Sequence, residues 1–365
     1  MDLGGALKHA AIVGAGVTGL LMAIRMRQMQ WRITVIDADE RDGQQSCTYT
    51  GAGMLAPYCE LEHSLPVIAE LGADSLAKWK DLLSSINYPV KLEQQGSLAV
   101  AHPDDRADLD QLQQRVEEYE GAANIMRVVD ASGIRQLEPG MENRFTHGLY
   151  FPQEGHINNR ELLSALKHHL TIDTHTDLVY GMPVERTEPG HIHCRNGVSQ
   201  HYDLVVDCRG LGAHSQINDL RGVRGELIYI RTPEVQLHRP IRLMHPRYPL
   251  YVVPRSDQVF VIGATQIESD HPGPTTVRAS LELLSAAYAL HPAFAEAEIL
   301  ESRAACRPAF PDNLPRILVE EGLLQVNGLF RHGFLLAPTI TQMAAEIIEG
   351  KNLQEFPQSI VQQTQ

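Results

Sequence analysis

Near the start of the chain stand Ala11-Ile12-Val13-Gly14-Ala15-Gly16-Val17-Thr18-Gly19-Leu20 and, after a helical run, Ile33-Thr34-Val35-Ile36-Asp37. Physically this is strand, glycine turn, helix, strand, acid. Gly14 permits the tight turn, Gly16 lets the backbone approach a pyrophosphate, and Gly19 lets helix and strand pack closely. The helix N-terminus then offers free N–H groups and a positive dipole end to phosphates. Asp37 closes the second strand 18 residues after Gly19, where a carboxylate can accept from ribose hydroxyls. A G-x-G-x-x-G alone is a weak signal. With strand, helix and acid all in place, a dinucleotide-binding βαβ unit is favoured over an ordinary glycine-rich turn.

The 365 residues hold one large domain or two intertwined ones, and an apolar fraction of 43% is enough for a core. A formal net charge of −14 argues against nucleic acid and anionic membrane as partners. No run approaches the ~20 apolar residues that span a bilayer. The N-terminus leads directly into the first strand, which leaves no room for a removable signal. Five cysteines (Cys47, Cys59, Cys194, Cys208 and Cys306), odd in number and without a C-x-x-C, fit a reduced, cytoplasmic protein. His191-Ile192-His193-Cys194 looks like a metal cluster. It lies in a charged, turn-rich stretch with no second ligand group at zinc spacing, so a surface strand is expected there and no metal.

A helix is predicted over 20–29, apolar on most faces as befits one covered by a sheet. The loop 42–57 is rich in small and hydroxyl residues and ends in Gly53-Met54-Leu55-Ala56-Pro57, so its backbone can lie against a flat ring or a phosphate. Amphipathic helices are predicted over 65–88 and 104–120, with a strand at 95–101 between them. Asn158 or Asn159 is placed to cap a helix that runs to Leu170. A buried strand within 202–212 ends in a glycine turn at Gly210, where backbone can pass near a ligand. Further on come a strand at 223–230, a hairpin of 251–254 with 258–265, and a helix at 276–290. The last segment holds Cys306-Arg307-Pro308, a strand within 323–328, and Arg331-His332-Gly333-Phe334-Leu335-Leu336-Ala337-Pro338. A final helix runs to Gly350, with Pro338 suited to its first turn.

Taken together, these pieces resemble the amino-acid-oxidase-like flavoproteins, the superfamily of D-amino-acid oxidase, sarcosine oxidase and glycine oxidase. The branch they resemble most is the bacterial glycine oxidases of thiamine biosynthesis. The resemblance covers nearly the whole chain: 14–37, the loop ending at Pro57, 150–162, 203–212, Arg224-Gly225-Glu226, Tyr251-Val252-Val253-Pro254, Ile262-Gly263-Ala264-Thr265, Arg307-Pro308 and 331–338. It implies an α/β fold in which a Rossmann-like FAD-binding domain is interleaved with a mixed-sheet α+β substrate domain. The FAD-binding domain would take 1–90, 146–222 and 301–365, and the substrate domain 91–145 and 223–300. FAD would be held without a covalent bond by Gly14, Gly16, Val17, Thr18 and Gly19, by Asp37 and Ala38, and by Gly53 and Met54. Backbone near Gly210 would contribute, as would Arg331, His332, Gly333, Phe334, Leu335 and Leu336. The last helix would aim its N-terminus at the flavin pyrimidine carbonyl, where it stabilises an anionic reduced ring.

The resemblance also implies a substrate clamp. Arg307 would hold the substrate carboxylate in a bidentate pair, Tyr251 would donate its hydroxyl to the same carboxylate, and Arg331 would line the pocket. A surface ion pair is the commonest fate of an arginine. The poorly charged surroundings of Arg307 weaken that reading for it, whereas Arg331 could simply contact backbone. His332 is read as a hydrogen-bonded loop residue and not as a general base. Three features separate the chain from the sarcosine oxidase branch or the family pattern. There is no lysine between Lys167 and Lys351 to sit above the flavin. Cys306, near the position of that branch's flavin-tethering cysteine, directly precedes the clamp arginine. Asn158 stands where an acid is familiar.

The implied reaction is hydride transfer from Cα of glycine or a similar small amino acid whose amine is neutral. Hydrolysis of the imine would give an oxo acid and ammonia, or a smaller amine, and oxygen would take the electrons to form hydrogen peroxide. The protein's task is then orientation and electrostatics. Two alternatives stand beside this reading. One is a dehydrogenase of the same fold that passes electrons to a quinone or protein acceptor. The other is a flavoprotein that modifies a partner polypeptide or serves in a maturation complex. A homo-oligomer is compatible with each.

Overall fold

The computed structural model describes residues 7–86, 88–119, 124–141, 144–245 and 250–364. The remaining positions, which fall within the predicted domain segments and helices 65–88 and 104–120, lie outside the described residues. Strands His9–Val13 and Arg32–Ile36 are continuous apolar runs, as parallel strands covered on both faces must be. They pair in parallel, with Ile12 beside Val35. Around them a seven-stranded sheet forms in the order Val361–Gln363, Arg316–Glu320, Leu323–Asn327, Leu204–Asp207, His9–Val13, Arg32–Ile36, Thr176–Val179. Its one antiparallel pairing joins Arg316–Glu320 to Leu323–Asn327. Helices Val17–Gln28, Pro66–Ser85, Asn159–Thr171 and Gly333–Ile348 share a core with it that includes Leu20, Trp79, Leu166 and Leu336.

A second, nine-stranded sheet is mixed. Its strands are Ser97–Ala101, Arg127–Asp130, His147–Phe151, Arg221–Arg231, Ile241–Met244, Leu250–Pro254, Val259–Gly263, Ile267–Glu268 and Glu298–Ala309. Helix Val277–Leu290 packs its Leu283 and Leu290 with Ile262, Leu243 and Phe145 in a separate core. His147–Phe151 belongs to this sheet, although the predicted segment 146–222 assigns it to the other part. Glu298–Ala309 runs straight through the predicted boundary at 300/301. The boundary at 300/301 carries no mark in the sequence because one strand continues across it, whereas His147–Phe151 starts just inside 146–222 and joins the second sheet by pairing with Ser97–Ala101 and Arg127–Asp130. Predicted and observed strands agree elsewhere to within a few residues, and His191–Cys194 is the middle strand of a small antiparallel sheet with Ile192 and Cys194 buried. No helix among the described residues is long and apolar enough to cross a membrane.

The helix predicted over 20–29 is Val17–Gln28, opening directly after Gly16. That predicted over 65–88 is Pro66–Ser85, with Pro66 in its first turn, and that over 104–120 is Arg106–Glu117. Asn158 is the cap of Asn159–Thr171, its Oδ1 accepting from the N–H groups of Arg160 and Glu161. Pro338 is not in the first turn of the last helix. That helix begins at Gly333, so Pro338 is interior. Its missing N–H leaves the Phe334 carbonyl free, and the indole Nε1 of Trp79 donates to that oxygen at 2.8 Å.

Candidate active site

A cavity of about 1810 Å³ takes its walls from both sheets and from the first turns of two helices. Roughly 300–1,000 Å³ suffices for a drug-sized ligand, so this one has room for a dinucleotide and a small molecule together. Gly14, Gly16, Val17 and Thr18 line one end. Gly14 has φ of +107°, and a Cβ there would stand 2.5 Å from the Cys208 carbonyl oxygen. Gly19 is not on the wall. It is the contact behind it, where a Cβ would meet the Gly14 oxygen at 1.8 Å. Helix Val17–Gln28 has no acidic residue in its first turn and no side-chain cap from Gly16, which leaves its dipole uncompensated toward the cavity. Thr48 Oγ1, from the loop 42–57, accepts from the Val17 N–H at 3.0 Å. The Asp37 carboxylate is held at the strand end by the N–H of Ala15 and, at 2.7 Å, by that of Asp39. Ala38 lines the wall beside it.

Gly53, Met54 and Gly210 follow along the cavity, and then Gly333, Phe334 and Leu335. Helix Gly333–Ile348 repeats the pattern of the first, with no acid in its first turn and no side-chain cap from His332. A Cβ built on Gly333 meets nothing within 4 Å. Leu336, predicted among the cofactor contacts, is fully buried in the core instead, because its position on the helix turns it toward Leu20 and Trp79.

At the far end Arg307, Tyr251, Arg331 and His332 come together. Arg307 lies on Glu298–Ala309 directly opposite Val223, and its guanidinium crosses Gly225, where a Cβ would sit 2.2 Å from Nη2. Nη1 donates to the Thr265 carbonyl at 3.2 Å. Tyr251 pairs with Gly263 in register, and its hydroxyl lies where a Cβ of that glycine would be. Burial raises the Tyr251 pKa against the pull of Arg307 and Arg331, so the hydroxyl keeps its proton and can donate. Burial likewise lowers the pKa of Arg307 without approaching neutrality, with Tyr251 opposing and Arg331 reinforcing the shift.

Arg331 does more than contact backbone. Its Nη2 donates to Glu60 Oε1 at 3.3 Å, and its Nε lies 3.0 Å from Glu60 Oε2. Burial alone would raise the Glu60 pKa, but Arg331, His332 and Arg242 override it and hold it at about 2. His332 is fully enclosed, with Nε2 at 3.2 Å from Ser64 Oγ and Nδ1 at 3.6 Å from Glu60 Oε2. Burial drops its pKa to about 4, so it is neutral and serves as a hydrogen-bonded loop residue. Glu60 was not found by sequence reasoning, nor was Arg242, which is buried against Glu62 and the Cys59 carbonyl. The signal available was the acid pair Glu60 and Glu62 just beyond Pro57. Glu154 fixes their turn, Cys59–Glu62: its Oε1 accepts from the N–H groups of Tyr58 and Cys59 at 2.8 Å each, and its Oε2 accepts from Ser97.

These residues fit FAD. Two helix ends with no acid in their first turns open onto one continuous cavity, the Asp37 carboxylate is fixed on its wall, and Gly333 leaves its side of the wall clear. The profile of the DAO family, described as FAD dependent oxidoreductase, matches residues 9–347. The chain is 41% identical over 334 residues to the putative thiamine biosynthesis oxidoreductase ThiO of Rhizobium etli, covering 92% of this chain and 93% of that protein. It is 26% identical over 358 residues to the bifunctional protein ThiO/ThiG of a Nostoc species, with 93% of this chain matched but 52% of the relative, so it spans about half of that protein. The crystal structure of glycine oxidase from Geobacillus kaustophilus shares the fold, with a TM-score of 0.82 at 22% identity over 94% of this chain and 96% of the other. Every cavity residue named above lies within the matched span, and the chain belongs to the DAO family of FAD-dependent oxidoreductases.

Proposed function

We propose that this chain oxidises glycine or a similarly small amino acid at Cα, giving an oxo acid and ammonia, with oxygen reduced to hydrogen peroxide. The observation that carries the reading is Arg307, a guanidinium at the cavity wall with no carboxylate partner among the described residues. A desolvated cation left unpaired is costly, and an anionic ligand relieves that cost. FAD, when bound, supplies the acceptor for the electron pair. Arg307 and Tyr251 grip the substrate carboxylate, one through two parallel N–H bonds and the other through its hydroxyl, and so fix the direction of the Cα–H bond.

In this reading FAD lies along Gly14, Gly16, Val17, Thr18, Asp37, Ala38, Gly53, Met54 and Gly210 to Gly333, Phe334 and Leu335. The seven-stranded sheet and its helices hold the cofactor, and the nine-stranded sheet roofs the substrate. The enzyme works in the cytoplasm, a setting that five free cysteines suit. Oxygen uptake and peroxide yield on glycine, sarcosine and larger amino acids test the proposal. Peroxide formed in step with glycine consumed is expected. Reduction of a quinone or dye without oxygen uptake would make the chain a dehydrogenase. Inactivity on every free amino acid with both acceptors would end the reading and favour a polypeptide substrate.

A further inference from the structure

Five charged side chains meet around the substrate end: Arg307, Arg331 and Arg242 against Glu60 and Glu62. Arg242 is matched by Glu62, to which its Nη2 donates, and Arg331 by Glu60 through two close contacts. His332 is neutral and adds nothing to the sum. Of these three arginines only Arg307 has no carboxylate within ion-pair distance; Arg115, exposed on the helix Arg106–Glu117, is taken up by the backbone oxygens of Leu61 and Glu62. We propose that Glu60 sets the substrate class of this cavity: by neutralising Arg331 it leaves a single cation for a single carboxylate, so the site takes monocarboxylate amino acids and turns dicarboxylates away. The inference rests on the amino-acid reading above and extends it to specificity.

The physical argument is one of charge count in a desolvated space. A second carboxylate entering here would find Arg331 already engaged and would lie beside the ionised Glu60, and like charges brought together in such a site are strongly disfavoured. Glu154 fixes the backbone of the turn through Tyr58 and Cys59, and the Glu60 carboxylate is held by Arg331 and, at 4.0 Å, by Arg242. If the charge of Glu60 is removed while its shape is kept, Arg331 becomes a second free cation on the same wall.

The test uses the holoenzyme in its oxidised state and two inert probes, acetate and malonate, titrated against the visible absorbance of the bound flavin. Wild type is expected to bind acetate at least as tightly as malonate. Glu60→Gln should shift the affinity ratio toward malonate by at least about 10-fold, and kcat/KM for iminodiacetate relative to glycine should rise in parallel. Arg331→Gln, which leaves Glu60 only Arg242 at 4.0 Å as an arginine partner, should shift the ratio the opposite way, and it carries the test should Glu60→Gln fail to retain flavin. An unchanged ratio in flavin-loaded Glu60→Gln would overturn the proposal. So would an equal weakening of both probes, which would mean that Glu60 acts on the common part of the ligand. Because the titrations need no turnover, these outcomes are separable from failure of the amino-acid reading itself. That failure would show as no saturable acetate site and no activity on any amino acid in wild type.

Discussion

Arg307 and Asp37 both line the cavity, and the proposed function gives one the substrate carboxylate and the other the ribose. Arg307→Ala is expected to keep FAD and the fold and to lose activity on small amino acids. Removing a hydrogen-bonded charge partner in such a site costs about 2–5 kcal/mol, so kcat/KM should fall by roughly 30-fold to several thousand-fold. Arg307→Lys should recover part of this, since an ammonium cannot make two parallel bonds. Steady-state kinetics read both variants, and a normal kcat/KM in Arg307→Ala would move the clamp elsewhere. Asp37→Ala should weaken FAD by about 10- to 150-fold through loss of charge-assisted bonds to ribose, measured by fluorescence titration of the apoprotein. Asp37 could be singled out locally, as an acid ending a strand, whereas Arg307 was singled out through the family resemblance, its poorly charged neighbours only weakening the reading as a surface ion pair. Glu60 was not, because what defines it is Arg331, 271 residues away along the chain. Gly225 and Gly263 entered only as members of matching segments, and what they make room for, Arg307 and Tyr251, lies on facing strands.

Two of the elements that line the cavity, the turn that carries Glu60 and the helix that starts at Gly333, are each braced by a buried polar group. The turn Cys59–Glu62 hangs on Glu154, whose pKa burial raises to about 7 from 4.5 even though Ser97 and the Tyr58 and Cys59 N–H groups favour the ionised form. A carboxyl shifted upward keeps its proton in the folded state after the unfolded chain has released it. Its contribution to stability is therefore present below about pH 4.5 and lost as pH rises through about 7, a swing of roughly 3 kcal/mol. Glu154→Gln keeps an acceptor for the two backbone donors and cannot titrate. Its melting temperature should vary less steeply than that of wild type between about pH 5 and 8, and parallel curves would show that Glu154 is ionised throughout. The second element, Gly333–Ile348, is interrupted by Pro338 and completed by the Trp79 indole. Trp79→Phe should cost about 1–3 kcal/mol by orphaning the Phe334 carbonyl, seen as a lower melting temperature. The proline suggested a helix start from sequence because the usual rule places it there. The tryptophan that lets it sit inside belongs to another helix, beyond the reach of a local rule.

For the molecule as a whole, the first strand, turn and helix announced the fold, and the buried strand within 202–212 could be read as a return toward it, whereas 323–328 could be read only as a strand; both Leu204–Asp207 and Leu323–Asn327 join the first sheet. The allocation of strands to the second sheet was less legible, since His147–Phe151 and Glu298–Ala309 carry no mark of which sheet they join. The whole protein should be yellow and release intact FAD on acid precipitation. Cys306, on the cavity wall, keeps its thiol because burial raises its pKa against the pull of Arg224, and its Sγ lies 3.4 Å from the His271 carbonyl. Flavin retained in the pellet would reveal a covalent bond. The cavity wall starts at Gly14 and is completed only at Leu335. A ribosome making this chain therefore exposes the phosphate-binding turn long before the last wall exists. A chain that stops short of Leu335 lacks part of the lining, so the full set of flavin contacts exists only once residues 14–335 have all been made.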